Sequence, residues 1–354
     1  MRLRKVYRLC GFLLLFCCSS GKAQNLILTP KESVTPGKSA AWSPLFQASW
    51  DRLNQANGGP SNGSGNAAIE ALDSFRWDEK SVMPPGKYDV RISEGTPEFL
   101  KESNEALVKQ FGPDAGIRYL NPIPEGGLVV VGHLAAGIDY PVAFFDSGKR
   151  RMPFYIGDQK VYARFFGTAG KFSRYYGKSV KLLSVAKERL CIEVESQDQS
   201  LILYLPTGAP DRSLSATMAV VKALRDDFAN LADEKGNRYP YLREKDVVKI
   251  PHVDFSVEEN LTERLNSWRN TPGSGPRRVS FASQSIAFQM NEKGAKVVSH
   301  TEIAEPFGAP PKIVPRHFIY DRPFYIFLWR KEATFPYFAC YVNSVDLLQT
   351  TQTP

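Results

Sequence analysis

Four histidines, two late cysteines and one lysine-bearing proline run are the residues through which this 354-residue chain could do chemistry. His133, His252, His300 and His317 lack the HxxxH spacing that places two imidazoles on one helix face, and no CxxC occurs, so no local metal site is expected. His133 lies in an apolar run and reads as a satisfied core residue. No GxSxG is present to hold a serine on a strand-to-helix elbow. GTAGKF (167–172) lacks the first glycine of a phosphate loop and has Phe172 where that loop needs a hydroxyl, so it reads as a strand end. Enzymatic and cofactor chemistry are therefore not expected. What remains is NEKGAKVVSHTEI (291–303), whose residues alternate like a strand, followed by a run with four prolines from 304 to 315. Lys312 and Arg316 are the basic side chains at its end.

The elements around that segment define a fold class. SIAFQM before it alternates Ile286, Phe288 and Met290 with smaller or polar residues, as a half-buried strand does. After it, HFIYDRPFYIFLWR and FPYFACYV read as a buried hairpin around KEAT. Further strands are expected at KYDVRIS (87–93), AGIRYL (115–120), GLVVVGHLAAGI (127–138), MPFYIG, KVYARFF, KLLSV, LCIEVES, SLILYLP and DVVKIPHVDFS. The LVVV run suggests a strand buried on both faces. Helices are expected at 43–55, 67–77, 96–112, 215–232 and 260–268. The third has the strongest signals: Thr96 as cap, Pro97 in the first turn, Glu98 early, Lys109 late and Gly112 as stop. Mixed, mostly antiparallel sheets with peripheral helices make the class α+β.

The N-terminus stands apart. MRLRKVYR is basic, the ten-residue apolar run after it is too short to span a bilayer, and Gly21 and Ala23 suit cleavage, so 1–23 reads as an export signal. The expected location is secreted or periplasmic, with no stable membrane insertion. Removing its five basic residues (Arg2, Arg4, Lys5, Arg8, Lys22) takes the net charge from +8 to +3, which argues against nucleic acid as a partner. Three of the five cysteines leave with it. Cys191 and Cys340 remain, as a disulfide or as two buried thiols. Residues 24–41 read as a polar leader. Residues 42–354 read as one domain, helix-rich over 42–126 and β-rich over 127–354, with a loop over 295–316.

The order of these pieces resembles a serpin over 87–343. NEKG (291–294) resembles the hinge at the base of the reactive-centre loop, and SFASQSIAFQMNEKG the strand leading into it. FIYDRPFYIFLWR resembles the C-terminal signature, with Phe318, Asp321, Pro323 and Phe324 in place. LVVVGHLAAGIDYPVAFF resembles the sheet-A strand and breach, with Tyr140 where tryptophan is usual and Phe144 kept. The resemblance implies a large mixed β-sheet, smaller sheets, no cofactor and, in inhibitory members, a single-use mechanism. A protease cleaves the loop, which then inserts into sheet A and traps the acyl-enzyme.

The hinge and loop residues implied are Glu292, Gly294, Ala295 and Thr301. Counting from Gly294 puts the bait bond at Gly308–Ala309; counting back from Phe324 puts it at Lys312–Ile313. The chain also departs from the pattern. NPIPEGG (121–127) is too short for the helix that crosses sheet A. Val297, Val298 and His300 are bulkier than the usual hinge residues, and Gly132 and Gln284 replace the usual asparagine and histidine where the sheet opens. The expectation is a monomeric, non-inhibitory binding or structural module, with a suicide inhibitor of a serine or cysteine protease as the alternative. Residues 295–303 are expected to be at least partly inserted as a strand.

Overall fold

The computed structural model describes residues 24–35, 37–61, 64–117, 127–168, 176, 179–186, 189–207, 213–228, 240–295 and 315–351. The chain opens with β1 (Gln24–Leu26) and β2 (Ser39–Trp42), which pair in parallel. Residues 24–41 are therefore not a leader outside the fold. Leu26, Ile27, Leu28, Ala40, Ala41 and Trp42 are all buried, and β2 docks on a strand near the other end of the chain. The apolar runs are only three or four residues long, too short to register as periodic.

Helix α1 (Leu45–Ala56) follows, then α2 (Ala67–Ser74) and the single turn α3 (Glu79–Val82). α2 starts where Asn66 Oδ1 accepts the Ala68 and Ile69 amides, and it stops at Ser74, short of the expected Trp77, as Phe75 turns extended. β3 (Tyr88–Glu94) leads into α4 (Pro97–Phe111). Thr96 caps α4 by accepting the Phe99 amide at 3.1 Å, and Gly112 ends it at φ +96°. The expected strand at 115–120 is not one in its described part. Pro113–Ala115 form a 3₁₀ turn, and Asn104 Oδ1 accepts the Ile117 amide, folding the chain back on α4. Residues 118–126, with the expected helix deletion at 121–126, lie outside the described residues.

Then come β4 (Leu128–Leu134), β5 (Ile138–Asp139), β6 (Phe145–Ile156), β7 (Gln159–Gly167), β8 (Val180–Ala186), β9 (Arg189–Ser196) and β10 (Gln199–Leu205). β4 is not buried on both faces. Only Val129 is fully covered, because α1 meets one face at Gly132 and Phe111 of α4 meets the other at His133, leaving its other side chains half-buried. His133 is accordingly half-buried against the Phe111 ring rather than enclosed in the core.

Helix α5 (Leu214–Asp226) is capped by Ser213. β11 (Val247–Pro251) and β12 (Val253–Asn260) are one expected strand broken at His252, after Pro251, where the chain passes from one sheet to another. α6 is only Thr262–Leu265, since Trp268 already begins β13 (Trp268–Thr271), which pairs with β14 (Gly275–Arg278). β15 (Ser283–Met290) buries Gln284, Ile286, Phe288 and Met290 and exposes the residues between them, as the alternation requires. β16 (Gly294–Ala295), β17 (His317–Ile319), β18 (Phe324–Arg330), β19 (Phe338–Val342) and β20 (Thr350–Thr351) complete the chain.

A seven-stranded mixed sheet runs β1-β2-β19-β18-β10-β9-β8, and a five-stranded sheet runs β17-β11-β7-β20 with β6 on β7. β18 and β19 form the expected antiparallel hairpin. They carry much of the core: Phe324, Tyr325, Ile326, Phe327 and Trp329 are fully buried, and Tyr320 Oη donates to the Leu203 carbonyl at 2.9 Å. Cys191 and Cys340 are free and buried.

Two further ribbons lie outside these sheets. β3 pairs with β4, and β12 pairs with β15, each antiparallel. Among the described residues β4 and β15 share no ladder with each other.

Candidate functional site at the root of loop 295–316

The segment after β15 is fixed by backbone bonds. Asn291 N donates to the Gly294 carbonyl at 3.0 Å, and Asn291 Oδ1 accepts the Lys293 amide at 3.0 Å, closing a tight turn. The Glu292 carbonyl accepts Phe144 N at 2.7 Å, and the Lys293 carbonyl accepts Tyr140 N at 3.1 Å. Gly294 and Ala295 then pair antiparallel with Asp139 and Ile138 of β5. Gly294 has φ +151°, and a Cβ there would lie 2.3 Å from the Ile138 carbonyl oxygen. Only glycine permits that approach.

Of the sequence-expected site residues, Glu292, Gly294 and Ala295 thus come together at one root. Ala295, the first residue of the expected inserted segment, pairs with Ile138 in a strand. Thr301, Gly308, Ala309, Lys312 and Ile313, with the rest of 296–314, lie outside the described residues.

Beneath the root sits an aromatic cluster. Tyr140 meets Phe144 edge-on at 5.1 Å, and Phe144 stacks on Tyr176 at 4.7 Å and leans on Phe166 at 5.8 Å. Tyr140 Oη is buried without a hydrogen-bond partner. Burial, with the Glu292 charge adding to it, drives its hydroxyl well above the usual tyrosine range.

The distal end of the loop is anchored by a different device. Asp246 is fully buried on the approach to β11. It accepts Arg316 Nη2 at 2.6 Å, Arg316 Nε at 3.2 Å and the amides of Arg243 and Arg316 at 2.6 and 3.2 Å. Arg316 Nη2 also donates to the Tyr241 carbonyl at 3.0 Å. Arg316, a basic residue open to protease selection on sequence grounds, is therefore a structural anchor.

A polar cluster at the proximal root was not legible in sequence, because its members come from three separate segments. Asp146 opens β6, His252 is the break between β11 and β12, and Glu292 is the hinge residue; their donor atoms lie within 4.8 Å of one another. Arg164 of β7 holds Asp146 through Nη2 at 2.5 Å and Nε at 3.3 Å. Burial alone would raise the Asp146 carboxyl, but hydrogen bonds from Arg164 and the Gly148 amide, together with the Arg164 charge, bring it below the usual value. His252 is 2% exposed, and its Nε2 stands 3.5 Å from Asp146 Oδ1 without hydrogen-bond geometry. Burial lowers its pKa, the Arg164 charge adds to this, and the two carboxylates oppose it. The sequence has no local metal-ligand spacing, and the fold brings these three donors together from separate segments.

Two further positions concern the sheet. On β4, a Cβ at Gly132 would lie 2.8 Å from Ser49 Oγ of α1, so no asparagine fits there without a shift. On β15, Gln284 is 7% exposed, and neither its Oε1 nor its Nε2 has a hydrogen-bond partner. Gly132 and Gln284, the two departures from the serpin pattern, thus make no polar contact with each other.

No family model matches the sequence, and no curated protein sequence matches it. Solved structures do match the fold. Thyroxine-binding globulin in complex with thyroxine superposes with a TM-score of 0.53 at 14% identity, over 88% of this chain and 94% of that one. Human thyroxine-binding globulin at 16% identity and human glycosylated kallistatin at 14% each give 0.52 over 88% of this chain, covering 93% and 92% of theirs. Both proteins are serpins, and the fold of this chain is serpin-like.

Proposed function

We propose that this chain is an exported serpin-like protein that acts as a non-inhibitory binding or structural module rather than as an enzyme. The observation that carries the reading is at two positions, Gly132 and Gln284, that the serpin resemblance sets where the sheet opens. β4 offers only Gly132, and β15 offers a Gln284 amide with no partner, so the polar contact that governs opening in inhibitory serpins is missing. The fold also serves proteins named for binding, thyroxine-binding globulin among them. The two thiols offer no nucleophile: both are fully buried, and burial pushes each thiol far above its ordinary range. No helix of the described residues is long and apolar enough to cross a membrane.

The test is incubation with a panel of serine and cysteine proteases, followed by a denaturing gel. Clean cleavage or no reaction is expected; a covalent complex that survives denaturation would sink the reading. One observation favours the alternative, a single-use protease inhibitor cleaved at Lys312–Ile313 or Gly308–Ala309. Among the described residues β4 and β15 each have one edge without a ladder, where an inserting strand could add. Nicking the loop and melting the product separates the two. A large rise in Tm belongs to the inhibitor, and no rise to the binding module.

A further inference from the structure

We propose that Asp146, His252 and Glu292 bind a first-row divalent cation, zinc being the best match, and that the ion ties the loop root to the five-stranded sheet. Three observations converge. The donor atoms lie within 4.8 Å of one another. His252 Nε2 is buried, faces Asp146 Oδ1 at 3.5 Å and has no hydrogen bond. The Glu292 carboxylate accepts no hydrogen bond within the described residues, although the Glu292 backbone is held firmly by Phe144 N.

One imidazole and two carboxylates suit zinc, which takes such ligands at about 2.0–2.2 Å and so places neighbouring ligand atoms about 3.4 Å apart. The His252–Asp146 separation already meets that spacing. Glu292 is half-buried on a turn, so its carboxylate can close the remaining distance by side-chain rotation. The other contacts of Asp146 are hydrogen bonds from Gly148 N at 3.1 Å and from Arg164. They orient the carboxylate as outer-shell donors do around metal ligands. The Arg164 charge opposes the ion, which predicts weaker binding than at a closed thiolate site. Calcium and magnesium are poor candidates, because they favour oxygen ligands and higher coordination.

The inference is independent of whether the loop inhibits a protease. The experiment is calorimetric titration of the chelator-stripped chain with zinc chloride, paired with cobalt absorption in the visible range. One ion per chain is expected, with a rise in Tm and with magnesium and calcium failing to compete at equal concentration. Glu292→Gln, at a half-buried turn position and expected to fold, should weaken zinc binding by about tenfold or more and abolish the cobalt bands. His252→Gln should do the same. Absence of saturable binding, unchanged affinity in Glu292→Gln, or equal competition by calcium would each overturn the site.

Discussion

The buried Asp246–Arg316 pair gives the sharpest quantitative test of how the distal end of the loop is held. The Asp246 side chain is 0% exposed and the Arg316 side chain 19%, so the pair sits where truncating one partner strands a charge. Breaking such a pair costs about 3–5 kcal/mol. Arg316→Met would leave Asp246 still accepting the Arg243 and Arg316 amides, which offset part of the loss, so the low end applies. The expected cost is about 3 kcal/mol, a fall in Tm on the order of 6 °C at roughly 2 °C per kcal/mol. Asp246→Asn keeps one acceptor and removes the charge. The double variant should therefore cost less than the sum of the singles, by about 1–3 kcal/mol of coupling. Urea unfolding followed by tryptophan fluorescence measures all four chains. A coupling below about 0.5 kcal/mol would mean that the pair is a spectator and that Arg316 is available to a protease. The same logic predicts that trypsin leaves the Arg316–His317 bond of the native chain intact and cuts it in Asp246→Asn.

Gly294→Ala is expected to destabilise by about 1–3 kcal/mol, since its Cβ would meet the Ile138 carbonyl at 2.3 Å and its φ is +151°; chemical denaturation reads the loss, and a neutral result would mean that β16 does not pair with β5. Gln284→Met is expected to be neutral or stabilising by up to about 2 kcal/mol, because it removes two buried polar atoms that have no partners; a loss of stability would reveal an amide partner. Cys191 and Cys340 should resist thiol reagents in the native chain and react fully on unfolding, as both are buried and burial raises both thiols. Asp51 is expected to titrate above the usual 3.8, since burial outweighs its hydrogen bonds from Trp77 and Gln47. A raised carboxyl pKa makes the native state bind the proton more tightly, so this group's stability contribution is present below 3.8 and lost as pH rises through the folded value. The stability gap between Asp51→Asn and wild type should therefore move in favour of the variant on raising the pH through that window, and a flat gap would contradict it.

Elements whose signals are local were legible in the sequence. α4 carries its own cap, proline and stop within 96–112, and β15 alternates so regularly that its buried set is the expected one. β1 and β2 were not legible, because nothing in 24–42 shows that Trp42 will sit opposite Ala339. The same holds for the site. Glu292 and Gly294 carried a recognisable pattern, whereas the cluster at Asp146 and His252 exists only because β6, the β11–β12 break and the hinge meet in space. Its one sequence hint was a histidine directly after a proline inside an apolar strand run. That marks a forced break in a ladder and hence a backbone kink able to turn a polar side chain inward.

The two functional readings turn on one physical question: what satisfies the edges of β4 and β15 that carry no ladder among the described residues. Two-stranded ribbons are marginal alone, and here each is supported by packing on its faces. α1 supports β4, and Phe288 of β15 stacks on Phe338 of the core hairpin at 4.5 Å. Among the described residues that support does not join the ribbons, and β4 and β15 each have one edge without a ladder. Gly294–Ala295 already runs antiparallel to β5, which follows β4 after three residues. A chain continuing from Ala295 in a strand would extend the ladder begun with β5, whereas one leaving it would give those bonds to water. The gain is the same before and after proteolysis unless something blocks entry in the intact molecule. In a serpin that something is a closed sheet held by polar contacts, and Gly132 and Gln284 supply none between them. With no such block, the strand after Ala295 is expected to be in place at rest, as the proposed non-inhibitory module requires.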